Sequence, residues 1–232
     1  MVRCAHEVRM RLHSALVLRL FAALAAFALA GCGGAKVARH VDQHPLPADT
    51  LTVRMHEAGT YGGRFVVGAT ASPKHFNPIM ASERPTNDVC NLLFTSLTDV
   101  DYTSLQDVPL FAKSWDWSAD ACTLTFHLRR GACFSDGHPI SATDVQFSFD
   151  VAMDDSLGTS MSEGLSVTNA TTGERERFTY AAPDSYTFRV VTARPYAMLL
   201  SATSTVRILP RHVLEPVWRA GGFASAYGVG TA

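Results

Sequence analysis

The 232-residue chain has no run of the ~20 consecutive apolar residues needed to span a bilayer; the best stretch, Leu20 to Ala30, is too short. It has no surplus of either charge. Twenty basic and 21 acidic residues leave a formal net charge of -1, so no electrostatic surface for nucleic acid is indicated. Cysteine is sparse, with five residues and no Cys-x-x-Cys spacing of the kind that zinc ribbons and redox motifs use. A Gly-x-Ser-x-Gly nucleophile elbow is missing too. The glycine pairs Gly62-Gly63 and Gly221-Gly222 lack the third glycine and the lysine of a phosphate-cradling loop. No internal repeat appears.

Two clusters invite a catalytic or metal reading, and neither survives. Cys122 and His127 differ by an odd number along one apolar-alternating stretch, so they point to opposite faces of a strand and cannot share an ion with Cys133 and His138. Ser135, Asp136 and His138 lie within four residues, whereas a catalytic triad is assembled across space; Ser135-Asp136-Gly137 followed by Pro139 reads as a turn. Trp115, Trp117, Phe126, Phe134, Phe147 and Phe149 fall at strand and helix spacing and are assigned to the core. No catalytic residue, no metal ligand and no cofactor is therefore indicated.

What is present begins at the N-terminus. Arg11, His13 and Arg19 precede the apolar run, and small residues follow it, which is the layout of a secretory signal over residues 1–31. The junction Leu29-Ala30-Gly31-Cys32 resembles the lipobox of bacterial lipoproteins. That resemblance implies acylation of Cys32, export, and anchoring at the outer face of the cytoplasmic membrane. Residues 32–60 mix Gly, Pro, His and Asp without a period and read as a flexible tether. Of the remaining cysteines, Cys90, Cys122 and Cys133, two could close a disulfide or all could stay free thiols.

The body is assigned to residues 61–232. Arg64 to Thr70 reads as a buried strand and Asn77-Pro78 as a turn. Helical spacing predicts a helix over Pro85 to Leu97, then strands at Leu97 to Tyr102, Ser114 to Ser118 and Thr123 to Leu128, the last with Leu124, Phe126 and Leu128 on one face. Ser141 and Asp144 form a capping box that opens a second helix along Val145, Phe149 and Ala152. Ser156 to Gly173 reads as a loop. Strands Glu176 to Tyr180 and Ser185 to Val191 make a hairpin about Ala182-Pro183-Asp184. A short helix near Tyr196 to Ser201, a strand at Val206 to Leu209 and a helix started by Pro210 follow. The fold class is mixed α/β.

Several stretches in this order resemble family 5 extracellular solute-binding proteins, the peptide- and nickel-type receptors of ABC importers. They are Pro109 to Asp116, Ser118-Ala119-Asp120, Leu124 to Gly131, Phe134 to Pro139, Ala142-Thr143-Asp144-Val145, Phe147-Ser148-Phe149 and, downstream, Leu209 to Leu214. The resemblance implies a periplasmic-binding-protein-like fold of class II type. It is built as two lobes that close on a ligand, with a β-rich subdomain inserted in the first. It implies a receptor, not an enzyme, that captures peptides or a similar small solute and passes it to an ABC permease. Family members are considerably longer, so the chain is expected to hold the first lobe without the second. By the same resemblance Ala81, Ser82, Glu83, Arg84 and Thr86, after Asn77-Pro78, face the ligand cleft; read from the residues alone, the polar Ser-Glu-Arg run is equally a solvated helix start. The alternative from another class is an exported structural or interaction lipoprotein, or a decayed gene product, that retains only the first-lobe scaffold.

The junction at Cys32 yields a direct test. Cys32→Ser is expected to move the protein from the membrane fraction to the soluble fraction on detergent-phase partitioning, because one lost acylation site removes the anchor. Unchanged membrane association would refute the lipid anchor.

Overall fold

The structure is a computed structural model that describes Asp49 and residues 62–64, 66–169 and 171–228. The signal segment 1–31, Cys32 and, Asp49 apart, the tether 32–60 lie outside the described residues. Contacts group His44–Gly59 with Arg64–Ala232 in one compact unit; of the other unit, Met1–Gln43 with Thr60–Gly63, only Gly62 and Gly63 are described.

The core is an antiparallel four-stranded sheet. In spatial order it runs β3 (Ala112–Trp117), β4 (Thr123–Leu128), β8 (Thr187–Val191) and β7 (Thr179–Asp184). β4 alternates as its sequence dictates: Leu124, Phe126 and Leu128 are buried while Thr123, Thr125 and His127 are half-exposed. Helix α2 (Ala142–Ala152) covers the buried face. Its Phe149 ring lies 4.9 Å from Phe188 of β8, and both are fully buried with Phe126. Phe147 is buried as well and Trp115 and Phe134 pack against the core, whereas Trp117, assigned to it from sequence, is 42% exposed at the end of the edge strand β3.

The capping box at α2 is present, with the Asp144 carboxylate accepting the Ser141 N–H at 2.9 Å and its hydroxyl at 2.8 Å. Asp144 is only 3% exposed, and its second oxygen accepts the Arg211 N–H at 3.3 Å. One turn on, the buried Ser148 hydroxyl donates to the Asp144 carbonyl at 2.7 Å and accepts from the Leu209 N–H at 2.8 Å. These bonds tie α2 to the start of the C-terminal helix α5 (Arg211–Arg219), which begins after Pro210 as the sequence indicates. Between them in the chain lies α4 (Leu199–Ser204), displaced toward the C-terminus from the predicted Tyr196 to Ser201.

Ahead of the sheet, α1 spans Arg84–Leu93 and ends sooner than the predicted Leu97, because Phe94 turns extended and the chain enters the hairpin β1 (Thr98–Asp101) and β2 (Gln106–Pro109). β2 carries no alternating pattern, so only its pairing reveals it.

Several expectations are corrected. Arg64 to Thr70 is no buried strand: Val66 and Val67 are exposed, and no strand among the described residues pairs with it, so β propensity there has no ladder to express. Ser156 to Gly173 is not a plain loop. It holds a 3₁₀ turn at Asp155–Leu157, helix α3 (Met161–Gly164) and β5 (Ser166–Thr168), anchored by buried Leu165 and Val167 and paired with β6 (Arg175–Arg177). The expected strand Glu176 to Tyr180 is split between β6 and β7, which pair with different partners. The hairpin turn sits at Ser185-Tyr186, where the Tyr186 N–H bonds the Asp184 carboxylate at 2.8 Å; Ala182-Pro183 belongs to edge strand β7, where a missing donor costs no ladder bond. Val206 to Leu209 is not a strand either, although Val206, Ile208 and Leu209 are buried. Its N–H groups go instead to Thr95 O, from Ile208 at 2.9 Å, and to Ser148. Cys90, Cys122 and Cys133 are all free thiols, Cys90 buried and Cys133 exposed.

Asp144→Ala removes a buried cap and strands the Ser141 and Arg211 donors. It is expected to cost about 2–3 kcal/mol in urea unfolding with an unchanged m-value. A loss under ~0.5 kcal/mol would show that the tie between α2 and α5 contributes little.

Candidate functional site

The segment expected to face a ligand is placed by Asn77. This fully buried side chain donates through Nδ2 to Phe223 O at 2.9 Å and accepts the Ile79 and Met80 N–H groups at 3.1 and 3.4 Å, which closes the turn at Asn77-Pro78. Nearby, Phe76 N–H donates to Tyr227 O at 2.8 Å, and His75 bridges Gly228. Residues 75–80 are thus fastened to the far end of the described chain, and the stretch that follows is projected from this joint.

Glu83 is the N-cap of α1, in an extended conformation, with Pro85 in the first turn. Its carboxylate accepts Thr86 Oγ1 at 2.9 Å, Lys74 Nζ at 3.3 Å and Ser82 Oγ at 3.4 Å. The Thr86 bond, ahead of Lys74, holds the Glu83 carboxyl below its ordinary range. Thr86 is fully buried, and its hydroxyl also accepts the Lys74 N–H at 3.2 Å. Thr86 and Glu83 therefore spend their polar atoms on partners within the chain. Ser82 and Arg84 are exposed, Ala81 is half-buried, and the Arg84 side chain is 90% exposed with a long 3.7 Å pairing to Asp88. The five residues are neighbours at the start of α1, with Ser82 and Arg84 exposed, Ala81 and Glu83 half-buried and Thr86 beneath them.

The described cavities lie elsewhere. An apolar cavity of about 550 Å³ is lined by Leu93, Phe94, Phe134, Ile208, Val213 and Tyr227 among others. Sequence reasoning missed it because its walls come from stretches far apart in the chain. Along its rim the Asp136 carboxylate binds His212 Nε2 at 2.6 Å and the His138 N–H at 2.9 Å, and the His138 and His212 rings stack at 3.9 Å. His212, the larger influence, and His138 together lower the Asp136 carboxyl. The turn at 134–138 is real: Gly137, at φ 87°, donates its N–H to Phe134 O at 2.9 Å. His127 is drawn off to Asp116, its Nε2 lying 2.7 Å from the carboxylate.

These bonds join stretches widely separated in sequence: Asp136 meets His212, Asp144 meets Arg211, and Ser148 meets Leu209. The same stretches carry the resemblance, and the comparison with known families bears on them directly. Residues 107–231, more than half of the chain, match the model of bacterial extracellular solute-binding proteins, family 5, middle region. The chain belongs to this family.

Its relatives agree. The periplasmic alpha-galactoside-binding protein of Rhizobium meliloti is 42% identical over 78 residues, which cover 34% of this chain and 11% of that protein. The dipeptide-binding protein of Escherichia coli is 34% identical over 86 residues, 34% of this chain and 16% of its own length. Among solved structures, Haemophilus influenzae OppA in complex with RPPGFSPFR superposes with a TM-score of 0.55 at 29% identity, over 65% of this chain and 31% of OppA. The family 5 fold is thus the mixed α/β fold of OppA-type periplasmic binding proteins, and this chain spans a third or less of each of these relatives.

The Glu83 frame can be tested on its own. Its lowered carboxyl contributes stability present above the ordinary glutamate pKa and lost as pH falls through the folded value. In Thr86→Val the Glu83 pKa, followed by carbon NMR, is expected to rise toward the ordinary glutamate value. No rise would show that the Thr86 bond is not made in solution.

Proposed function

We propose that this chain belongs to the receptor of an ABC importer. It is exported, held at the outer face of the cytoplasmic membrane through lipid on Cys32, and captures a peptide or similar small solute for a permease. The observation that carries this reading is the family 5 match over residues 107–231, supported by the superposition on a peptide-loaded OppA. The task is binding and transfer, so it asks for a cleft and for polar groups free to meet a ligand, not for a nucleophile.

Within the ligand-facing surface, Ser82 and Arg84 supply the contacts, Ala81 leaves room for them, and Glu83 and Thr86 hold the helix start that presents them. Arg84 suits a carboxylate or other planar acceptor, because its guanidinium is exposed and only loosely paired with Asp88. A one-lobe surface buries too little of a ligand to offset its lost freedom, so residues 32–232 alone are expected to bind weakly.

The test is titration calorimetry of the protein as its gene encodes it. A peptide such as RPPGFSPFR is expected to bind with micromolar affinity, and Arg84→Ala to weaken it about tenfold, or ~1.4 kcal/mol. No binding of peptides, oligosaccharides or nickel chelates would overturn the receptor reading. Equal affinity in Arg84→Ala would remove the helix start from the site.

A further inference from the structure

The ladder between β3 and β4 ends in an arrangement that the fold itself does not require. Arg129, just past β4, spends its N–H on Phe111 O at 3.0 Å. The next N–H, that of Arg130, lies beyond the last paired residue and donates to the Asp49 carboxylate at 3.2 Å. Lys113 sits where the register shifts between Ala112 and Ser114, and its ammonium reaches the same carboxylate oxygen at 3.4 Å. The Arg129 guanidinium is fixed by Nε donating to Leu110 O at 2.6 Å, which leaves Nη1 to donate to the Asp49 carbonyl at 2.9 Å. Three neighbouring residues thus meet one aspartate with a backbone N–H, an ammonium and a guanidinium. Its side chain is only 28% exposed.

We infer that Lys113, Arg129 and Arg130 form a carboxylate dock whose occupant is Asp49 of this chain, fastening the N-terminal segment to the open β3 edge of the core sheet. Each donor is preset by the sheet: one N–H is left over by the end of the ladder, one side chain sits at a register shift, and one is pinned by its own Nε. Docking therefore orders little besides Asp49. Pro45 and Pro47 close before it reduce the backbone freedom lost on docking. The arrangement also places a charged pair at a sheet edge, where open backbone groups invite pairing with other chains.

The dock changes the meaning of the tether. With the dock made, Asp49 and not Gly62 is the first described point at which the chain is fastened to the body. On the lipid-anchored reading, which this point alone rests on, the root-mean-square reach from Cys32 falls from ~30 Å to ~23 Å. The body then stands closer to the membrane than the tether's length allows.

Amide hydrogen exchange on the full chain tests the dock without reference to the anchor or to any ligand. The Arg130 amide is expected to exchange at least ~10-fold slower in the wild type than in Asp49→Ala, while the Phe126 and Phe188 amides of the core sheet keep their rates. High salt should speed Arg130 exchange in the wild type toward the variant's rate. Equal Arg130 rates in wild type and Asp49→Ala overturn the dock. A parallel acceleration at Phe126 also overturns it, because the effect is then global.

Discussion

One buried hydroxyl holds together parts of the chain that no ladder joins. Ser148 accepts the Leu209 N–H and donates to the carbonyl of Asp144, inside α2 and out of water. Val206, Ile208 and Leu209 are apolar and buried, yet their stretch belongs to no sheet, so its backbone donors must be met by something other than a strand. Ser148 meets one, and Asp144 meets the Arg211 N–H two residues later. The aromatic packing of Phe149 against Phe188 fixes α2 to the sheet, and the polar seam then fixes the C-terminal helix to α2. The contact of Asp136 with His212 and the walls of the apolar cavity follow from that placement.

Sequence revealed the elements whose pattern is local. β4 announces itself by alternation and α2 by its capping box, and the start of α5 is set by Pro210. It misled where partners decide. Val66 and Val67 favour a strand and have no strand to pair with among the described residues, while Val206 to Leu209 looks like a strand and is held by Thr95 O and Ser148. Pro183 looked like a turn because proline punctuates turns, but on the edge strand β7 its missing donor does no harm. β5 escaped notice because Ser156 to Gly173 is small and polar, with Leu165 and Val167 as the buried apolar anchors in β5 and just before it.

Local sequence did not show how the residues proposed for the site divide between exposed and buried. Resemblance pointed to Ala81, Ser82, Glu83, Arg84 and Thr86 as a group, and they lie together at the start of α1 with Thr86 buried. Nothing in the sequence separated the exposed Ser82 and Arg84 from Thr86, whose hydroxyl lies buried between Lys74 and Glu83. That division depends on Asn77, which bridges to Phe223 and sets the angle at which the segment leaves the body. The same limit applies to Asp49, read as part of a tether: its partners Lys113, Arg129 and Arg130 are brought to it by the end of a ladder that local sequence does not show.

The central claim is that the family 5 stretches fold as one cooperative unit through the seam between α2 and the C-terminal helix. Native-state hydrogen exchange of the Leu209 amide tests it most directly. The account predicts that Leu209 exchanges only through global unfolding, with the same opening free energy as the Phe126 and Phe188 amides and the same dependence on denaturant. A Leu209 amide that opens locally, several kcal/mol more easily than the sheet, would contradict it.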